Sequence, residues 1–398
     1  MHKGSSASKK EASLSSPDFT LSAIEAAQLS AKINDLVCKR FLNQKMVDEI
    51  WKPSYAAARA ELAKKTDLLS FAKSINELLA KLHTSHTQLL TENDEAFYFM
   101  RCLFGSFNKD PKAPHKNDGD FVGLGVGGAQ AEANQVRYVL DGSPAASSGV
   151  RRGDKILSVN GKPYTGYSAW YHQSGKPCSL RLERQVARFT VTVTPVKQDF
   201  MKGYVTATEK SARIIEHQGK KIGYLHYWSG GEGAPEVLED TVCSKFKNTD
   251  ALVLDFRDGY GGASMDNMDL FFRPRAAYPD TVSTTREGSH SERMTYDKPV
   301  ALLINKGVRS GKEMLAYGLK RSKRARLFGE HTAGYVVAGQ FNPLSKRVIL
   351  YLGVSDIKLD GERLEGVGVY PDQEVEDKLV SDDPVLQAAL DYLCRPAN

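Results

Sequence analysis

The stretch that decides the fold is Pro299-Val-Ala-Leu-Leu-Ile304-Asn-Lys-Gly-Val-Arg-Ser310-Gly-Lys-Glu-Met-Leu-Ala-Tyr-Gly-Leu-Lys320. Val300 to Ile304 is a continuous apolar run closed by Pro299 and Asn305, the pattern of a buried strand. From Ser310 onward Met314, Leu315, Gly318 and Leu319 recur at helical spacing. Ser310 is therefore expected where a tight turn enters a helix. Two readings of it stand side by side. Ser310-Gly311-Lys312-Glu313 is a capping box, a purely structural device. The same position also sets a hydroxyl against unpaired first-turn amides and the positive end of the helix dipole, where an oxyanion is stabilised.

Working outward, Ile222 to Trp228 and Ala251 to Phe256 read as strands, with a helical stretch from Ala234 to Phe246 between them. That alternation predicts parallel strands in a mixed α/β core. The second strand runs into Asp255-Phe-Arg-Asp-Gly-Tyr-Gly-Gly-Ala-Ser264, with a helix expected from Met265 to Phe272. Such a loop can aim backbone amides at an anion. Its spacing is not that of a phosphate loop, and no Lys-Ser or Lys-Thr pair follows the glycines.

Towards the N-terminus, Ile24, Leu29, Ile33, Leu36, Val37 and Phe41 fall on one helical face, and Leu68 to Leu82 repeats the pattern behind Asp67. The second helix ends in Leu82-His83-Thr84-Ser85-His86-Thr87. A histidine after a helix C-terminus is ordinarily a dipole partner. Residues 106–119 read as an exposed linker, and 1–17 as a Ser- and Lys-rich disordered tail without the apolar centre of a signal peptide.

Between Phe121 and Val196 short strands and glycine turns take over. Phe121-Val-Gly-Leu-Gly-Val126, then Asp141-Gly-Ser-Pro-Ala-Ala-Ser-Ser-Gly-Val-Arg-Arg-Gly-Asp-Lys-Ile-Leu-Ser-Val-Asn-Gly-Lys-Pro163, resembles a PDZ domain in the circularly permuted order found in bacterial proteases. Such a module receives a peptide's terminal carboxylate on backbone amides and pairs the peptide with a strand edge. The resemblance places peptide contacts at Gly123, Leu124, Gly125 and Val126. Alternatively these glycines serve only a turn.

Taken together, the blocks resemble the C-terminal processing (tail-specific) serine peptidases, a family that includes tricorn-like enzymes. Ala251 to Gly262 is similar to the family's strand and glycine loop, and Val300 to Leu315 to its nucleophile segment. Leu327-Phe-Gly-Glu-His-Thr-Ala-Gly334 and Leu364-Glu-Gly-Val-Gly-Val-Tyr-Pro-Asp372 are similar to two further blocks. The Ser-Lys branch has its general base just after the Gly-Glu-x-Thr-x-Gly block, where this chain has Tyr335. A phenol with a pKa near 10 is no substitute at neutral pH, and Lys312 points to another helix face than Ser310.

The resemblance therefore lies closer to the Ser-His-Glu branch. It implies Ser310 as nucleophile, His86 as base with His83 as the alternative, and Glu365 as the group orienting the imidazole, with Glu362 and Asp372 nearby in sequence. It also implies an oxyanion hole from Gly311 and from Gly261 or Gly262. The implied function is a serine endopeptidase whose PDZ domain recognises C-terminal or unstructured segments. The alternative is an inactive relative that binds peptides without cleaving them.

The expected architecture is multidomain α/β: an N-terminal helical domain over 18–105, the permuted PDZ domain over 120–198 and a mixed α/β serine-protease core over 199–398. The 398 residues suffice for such a division, and 41% hydrophobic with 26% charged residues is ordinary globular composition. The net charge of +6 is spread over 54 basic and 48 acidic side chains. It forms no basic face, so protein or peptide substrates are expected and nucleic acid is not.

The five cysteines are scattered without metal or C-x-x-C spacing, and neither a metal nor a cofactor is expected. No apolar run reaches membrane-spanning length. Apolar helical faces near the N-terminus are compatible with a homo-oligomer or with their own packing. The compartment stays open: cytoplasmic if the chain is kept where it is made, periplasmic or otherwise exported if a signal has been removed.

Overall fold

The computed structural model describes residues 19–105, 121–123, 125–127, 134–170, 173–274, 276–279, 281–292, 295–378 and 383–396. The expected tail 1–17, the linker 106–119 and Leu124 lie outside the described residues.

The chain begins with amphipathic helices α1 (Ala23–Arg40), α2 (Lys52–Leu62) and α3 (Leu68–Ala80). Ser22 and Glu25 close a capping box on α1, and the Asp67 carboxylate accepts the Ser70 amide at 2.7 Å to start α3. Ile33, Val37, Phe71, Ile75 and Leu79 bury their side chains in one cluster. The same cluster takes in Val348, Leu350 and Leu352 from far along the chain.

The link is strand β1 (Gln88–Thr91), which the helical reading of 18–105 did not anticipate. Four residues are too short for periodicity to register. Asn76 of α3 exchanges hydrogen bonds with the Leu89 backbone, its oxygen accepting at 2.7 Å and its amide donating at 2.9 Å. Residues 81–87 are thus held at both ends. Helix α4 (Glu95–Phe104) follows.

Next come short antiparallel strands: β2 (Phe121–Gly123), β3 (Val126–Gly127), β4 (Tyr138–Val139), β5 (Lys155–Val159), β6 (Cys178–Arg184), β7 (Ala187–Val193) and β8 (Val196–Gln198). Strand β6 alternates inward Cys178, Leu180 and Leu182 with outward polar residues, as a half-buried sheet requires. Helix α5 (Phe200–Ser211) leads out, capped by Asp199.

The core sheet is built from β9 (Arg213–His217), β10 (Lys220–His226), β11 (Ala251–Asp255), β12 (Val300–Ile304), β13 (Arg326–Gly329) and, beyond the ribbon β14 (Ala338–Ser345) and β15 (Val348–Ser355), β16 (Gln373–Glu374). Its order is β9-β10-β11-β12-β13-β16, with β9 antiparallel and the others parallel. Every residue of β11 and β12 is buried, which explains the apolar runs Ala251–Leu254 and Val300–Ile304. Helices cover both faces: α6 (Ala234–Asp240) and α7 (Gly311–Arg321) on one, α8 (Pro384–Cys394) on the other. Strand β1 pairs antiparallel with β15, Leu89 opposite Leu350.

Two features fix the site. Strands β11 and β12 are in register, Asp255 opposite Leu303, so the loops leaving their C-terminal ends emerge side by side, the usual position of ligands in such sheets. Secondly, an ionic network seats the β2–β8 region on the core. Arg152 grips Asp377 at 2.5 and 2.7 Å, and Arg137 meets Asp258 at 2.7 Å. Arg257 spans Asp255, Asp377 and Asp383, and Asn305 donates to Asp377 at 2.6 Å.

Arg257 is buried, so Arg257→Met leaves carboxylates without their cation. The loss is expected to be about 3–5 kcal/mol, read as a lower unfolding free energy in urea. A change under about 1 kcal/mol would show that the network contributes little.

Candidate active site

Ser310 sits at the entry to α7 with φ 57° and ψ −133°, a backbone conformation that side-chain-bearing residues rarely adopt. Its amide donates to the Tyr335 carbonyl at 2.9 Å and to the Glu313 carboxylate at 3.1 Å. The Glu313 amide in turn donates to the Ser310 carbonyl at 2.8 Å. The capping-box pattern is thus present, with the Glu313 carboxylate bonded back to the Ser310 amide.

Glu313 does more than cap. It also accepts from the Thr332 hydroxyl, the Gly334 amide at 2.7 Å and the Tyr335 amide at 2.7 Å. Burial raises its carboxyl pKa while these donors lower it.

The glycine loop after β11 abuts the serine. A Cβ on Gly261 would lie 2.8 Å from the Ser310 Cβ and 2.9 Å from the Arg309 carbonyl, so only glycine fits there. Gly262 has φ 72°. Gly311 opens the helix, where the first amides have no intrahelical acceptor.

Lys312 is fully buried, its ammonium donating to the carbonyls of Asp258 at 2.7 Å, Tyr227 at 3.0 Å and Trp228 at 3.4 Å. Burial pushes its pKa down to about 7. It ties the glycine loop to β10 and points away from Ser310.

His86, carried by the segment between α3 and β1, has φ 54° and packs its ring on Tyr351, with centroids 5.1 Å apart. His86 and Ser310 line one cavity of about 390 Å³, together with Gly261, Gly262, Gly311, Arg309, Phe99, Tyr260 and Tyr335. Tyr335, where the related branch carries lysine, is half exposed at this cavity. His83 is exposed and does not line it.

Glu365 is close to His86 but meets it through Ser85. Its Oε2 accepts the Ser85 hydroxyl at 2.8 Å, and that hydroxyl lies 3.0 Å from His86 Nδ1. The carboxylate also accepts the amides of Ser85 at 2.8 Å, Val336 at 2.8 Å and Val337 at 3.2 Å. The direct Glu365–imidazole contact expected from sequence is replaced by a bridged one. The Ser85 proton goes to the carboxylate, so Nδ1–H donates to Ser85 Oγ and Nε2 is left as an acceptor.

Ser85 is the residue that sequence reasoning missed. Its signal was present, a hydroxyl beside the histidine, but its partner is 280 positions away. Burial lowers the His86 pKa to about 4, against the raising influence of Glu365 and with a further lowering by Arg309.

Of the expected peptide-contact residues, Gly123, Gly125 and Val126 do not line this cavity. Gly123 pairs with Val196 and Val126 with Val139. The Gly125 carbonyl accepts the Leu140 amide at 2.7 Å, and the Val126 carbonyl accepts the Tyr167 hydroxyl at 2.9 Å.

Residues 221–375 match the sequence profile described as Peptidase family S41, and residues 135–170 match a PDZ domain profile. Over residues 221–375 the chain is similar to peptidase family S41. It is a serine peptidase with a PDZ domain on a mixed α/β core.

A carboxyl-terminal-processing protease of Synechocystis sp. is 27% identical to this chain over 300 residues, 69% of either chain. A probable CtpA-like serine protease of Staphylococcus aureus (strain COL) is 24% identical over 341 residues, 81% of this chain and 63% of that one. The chain thus spans about two thirds of the length of these curated relatives.

Two solved structures, each 19% identical, share the fold. The tricorn protease aligns over 93% of this chain and 36% of its own, with a TM-score of 0.54. The photosystem II D1 C-terminal processing protease aligns over 92% and 97%, with a TM-score of 0.51.

Gly261→Ala tests the contact between loop and serine. The added methyl must displace Ser310 or the loop, and kcat/KM on a peptide substrate should fall by about 10²-fold or more, measured beside an unchanged far-ultraviolet circular dichroism spectrum. Activity within threefold of the parent would contradict the packing described.

Proposed function

We propose that the chain is an endopeptidase of the Ser-His-Glu type, cleaving peptide bonds in unstructured or C-terminal segments of proteins that its PDZ domain engages. The division proposed is a helical domain over 18–105, a PDZ domain over 120–198 with peptide contacts at Gly123, Leu124, Gly125 and Val126, and a peptidase core over 199–398. The observation that carries the reading is the hydrogen-bonded line from Glu365 through Ser85 to His86 Nδ1, ending at a cavity that the ring shares with Ser310.

In this reading His86 Nε2 takes the Ser310 proton as the hydroxyl attacks the substrate carbonyl, then delivers it to the leaving amine. The imidazolium formed between these steps is stabilised by Glu365 through the Ser85 hydroxyl. The same groups activate water to hydrolyse the acyl-enzyme. The oxyanion is met by the Gly311 amide and by that of Gly261 or Gly262, each donor worth roughly 3 kcal/mol in the transition state. Tyr335 takes no part as base.

Treatment with a fluorophosphonate, followed by mass spectrometry, is expected to place the adduct on Ser310 and to lose it in Ser310→Ala and His86→Ala. Ser310→Ala should abolish turnover with little change in unfolding midpoint, because an N-cap hydroxyl contributes only about 1 kcal/mol. Labelling that survives His86→Ala would exclude His86 as the base. An absence of labelling, with an unstructured peptide present, would favour a peptide-binding protein without catalysis.

The pH profile gives a second test. A histidine acts as base only when neutral, so activity is present above its pKa and lost as pH falls through it. With the pKa near 4, the acid limb of kcat/KM should lie well below 6.5. A limb at or above 6.5 would overturn the assignment of His86 in this environment.

A further inference from the structure

A second cavity of about 380 Å³ adjoins the one containing Ser310, and Gln88, Ala96, Tyr260 and Arg309 line both. Its own walls add Asp94, Glu95, Arg137 and the phenols of Tyr138 and Tyr167. Charges on these walls are nearly all accounted for. Arg137 is paired with Asp258 at 2.7 Å. The Glu95 carboxylate receives the hydroxyls of Tyr138 and Tyr204, and Asp94 receives the amide and hydroxyl of Thr91, each at 2.8 Å.

Arg309 is the exception. Its guanidinium lies over the Tyr260 ring, 5.1 Å from the centroid, and its Nε is buried without a hydrogen-bond partner among the described residues. Glu95 and Asp258 are near enough to favour its positive charge, yet neither accepts a hydrogen bond from it. A guanidinium that lines both cavities and is hydrogen-bonded to no carboxylate among the described residues suits an anionic partner that arrives from outside.

We propose that Arg309 is a specificity residue of this peptidase, holding a substrate carboxylate where the two cavities meet. This deepens the serine-peptidase reading and rests on it. A guanidinium offers donors in a planar fork, and a carboxylate is the acceptor that matches it with two oxygens. The Tyr260 face supports the cation without neutralising it. Arg309 directly precedes the nucleophile, so its Cα is about 3.8 Å from that of Ser310. The bound carboxylate therefore belongs to the substrate close to the scissile bond. Its source is either the free C-terminus of a peptide cut near its end, or an Asp or Glu side chain beside the cut.

The test uses the full chain carrying Ser310→Ala, which binds without turnover, and Ala-rich peptides made as neutral and charged twins. One pair differs as terminal carboxylate against carboxamide, the other as Glu against Gln at an internal position with a blocked end. Calorimetry is expected to show one charged twin binding on the order of ten- to a hundredfold tighter than its neutral partner. Arg309→Met should erase the difference and Arg309→Lys should keep part of it, both checked for folding by thermal unfolding.

A gain in the first pair assigns the site to a terminus, and in the second to an acidic side chain. A preference held by the PDZ domain would survive Arg309→Met and would overturn the proposal. So would equal binding of both twins, or no binding by any peptide. Fluorophosphonate labelling of the parent protein reads the peptidase reaction separately. A carboxylate preference lost with Arg309, but without labelling of Ser310, retains this site and removes the catalytic reading.

Discussion

The Glu313 carboxylate is the constraint on which the site depends. It lies in the first turn of α7, is fully buried, and spends its two oxygens on Ser310, Thr332, Gly334 and Tyr335. A buried carboxylate is tolerated only with its lone pairs satisfied, so its donors are held in one arrangement. That arrangement sets the unusual backbone of Ser310, which a lone N-cap hydrogen bond would not. It also lays down the turn 332–335, whose continuation, Val336 and Val337, donates to Glu365. Two carboxylates thereby grip one short segment, one on the serine side and one on the histidine side.

The histidine reaches this place by a separate route. Residues 81–87 hang between α3 and β1, and β1 belongs to the sheet of β14 and β15 rather than to the helices that precede it. Asn76 locks helix to strand, and Glu365 locks Ser85 to the core. The helical region therefore supplies a wall of the Ser310 cavity and is not an appendage. The PDZ region is similarly committed, since Arg137 and Arg152 reach Asp258 and Asp377 and thus touch the loop that carries the glycines beside Ser310. A cation in one domain and an anion in the loop of another make the position of one a condition for the other.

Much of this was legible beforehand because its signals are local. Val300 to Ile304 reads as a buried strand because every side chain in it is apolar, and Gly261 reads as special because glycine alone permits so close an approach. Asp67 announces the helix that it caps. The bridging role of Ser85 was not legible. A hydroxyl beside a histidine is common, and what distinguishes this one is a carboxylate that closes in only after folding. The β1 strand was missed for the same reason: four residues acquire their structure from β15.

By itself the sequence determined the buried strands before the glycine loop and before Ser310, the amphipathic helices ahead of residue 82 and the turn that presents Ser310, since these follow from periodicity, capping chemistry and glycine. Tertiary structure alone decided that Glu365 meets His86 through Ser85, that Lys312 is spent on three carbonyls, and that Arg309 is left with an unmet donor. Hydrogen-bond partners across hundreds of residues are chosen by distance and desolvation in the folded chain, and neither quantity is written in the spacing of residues along it.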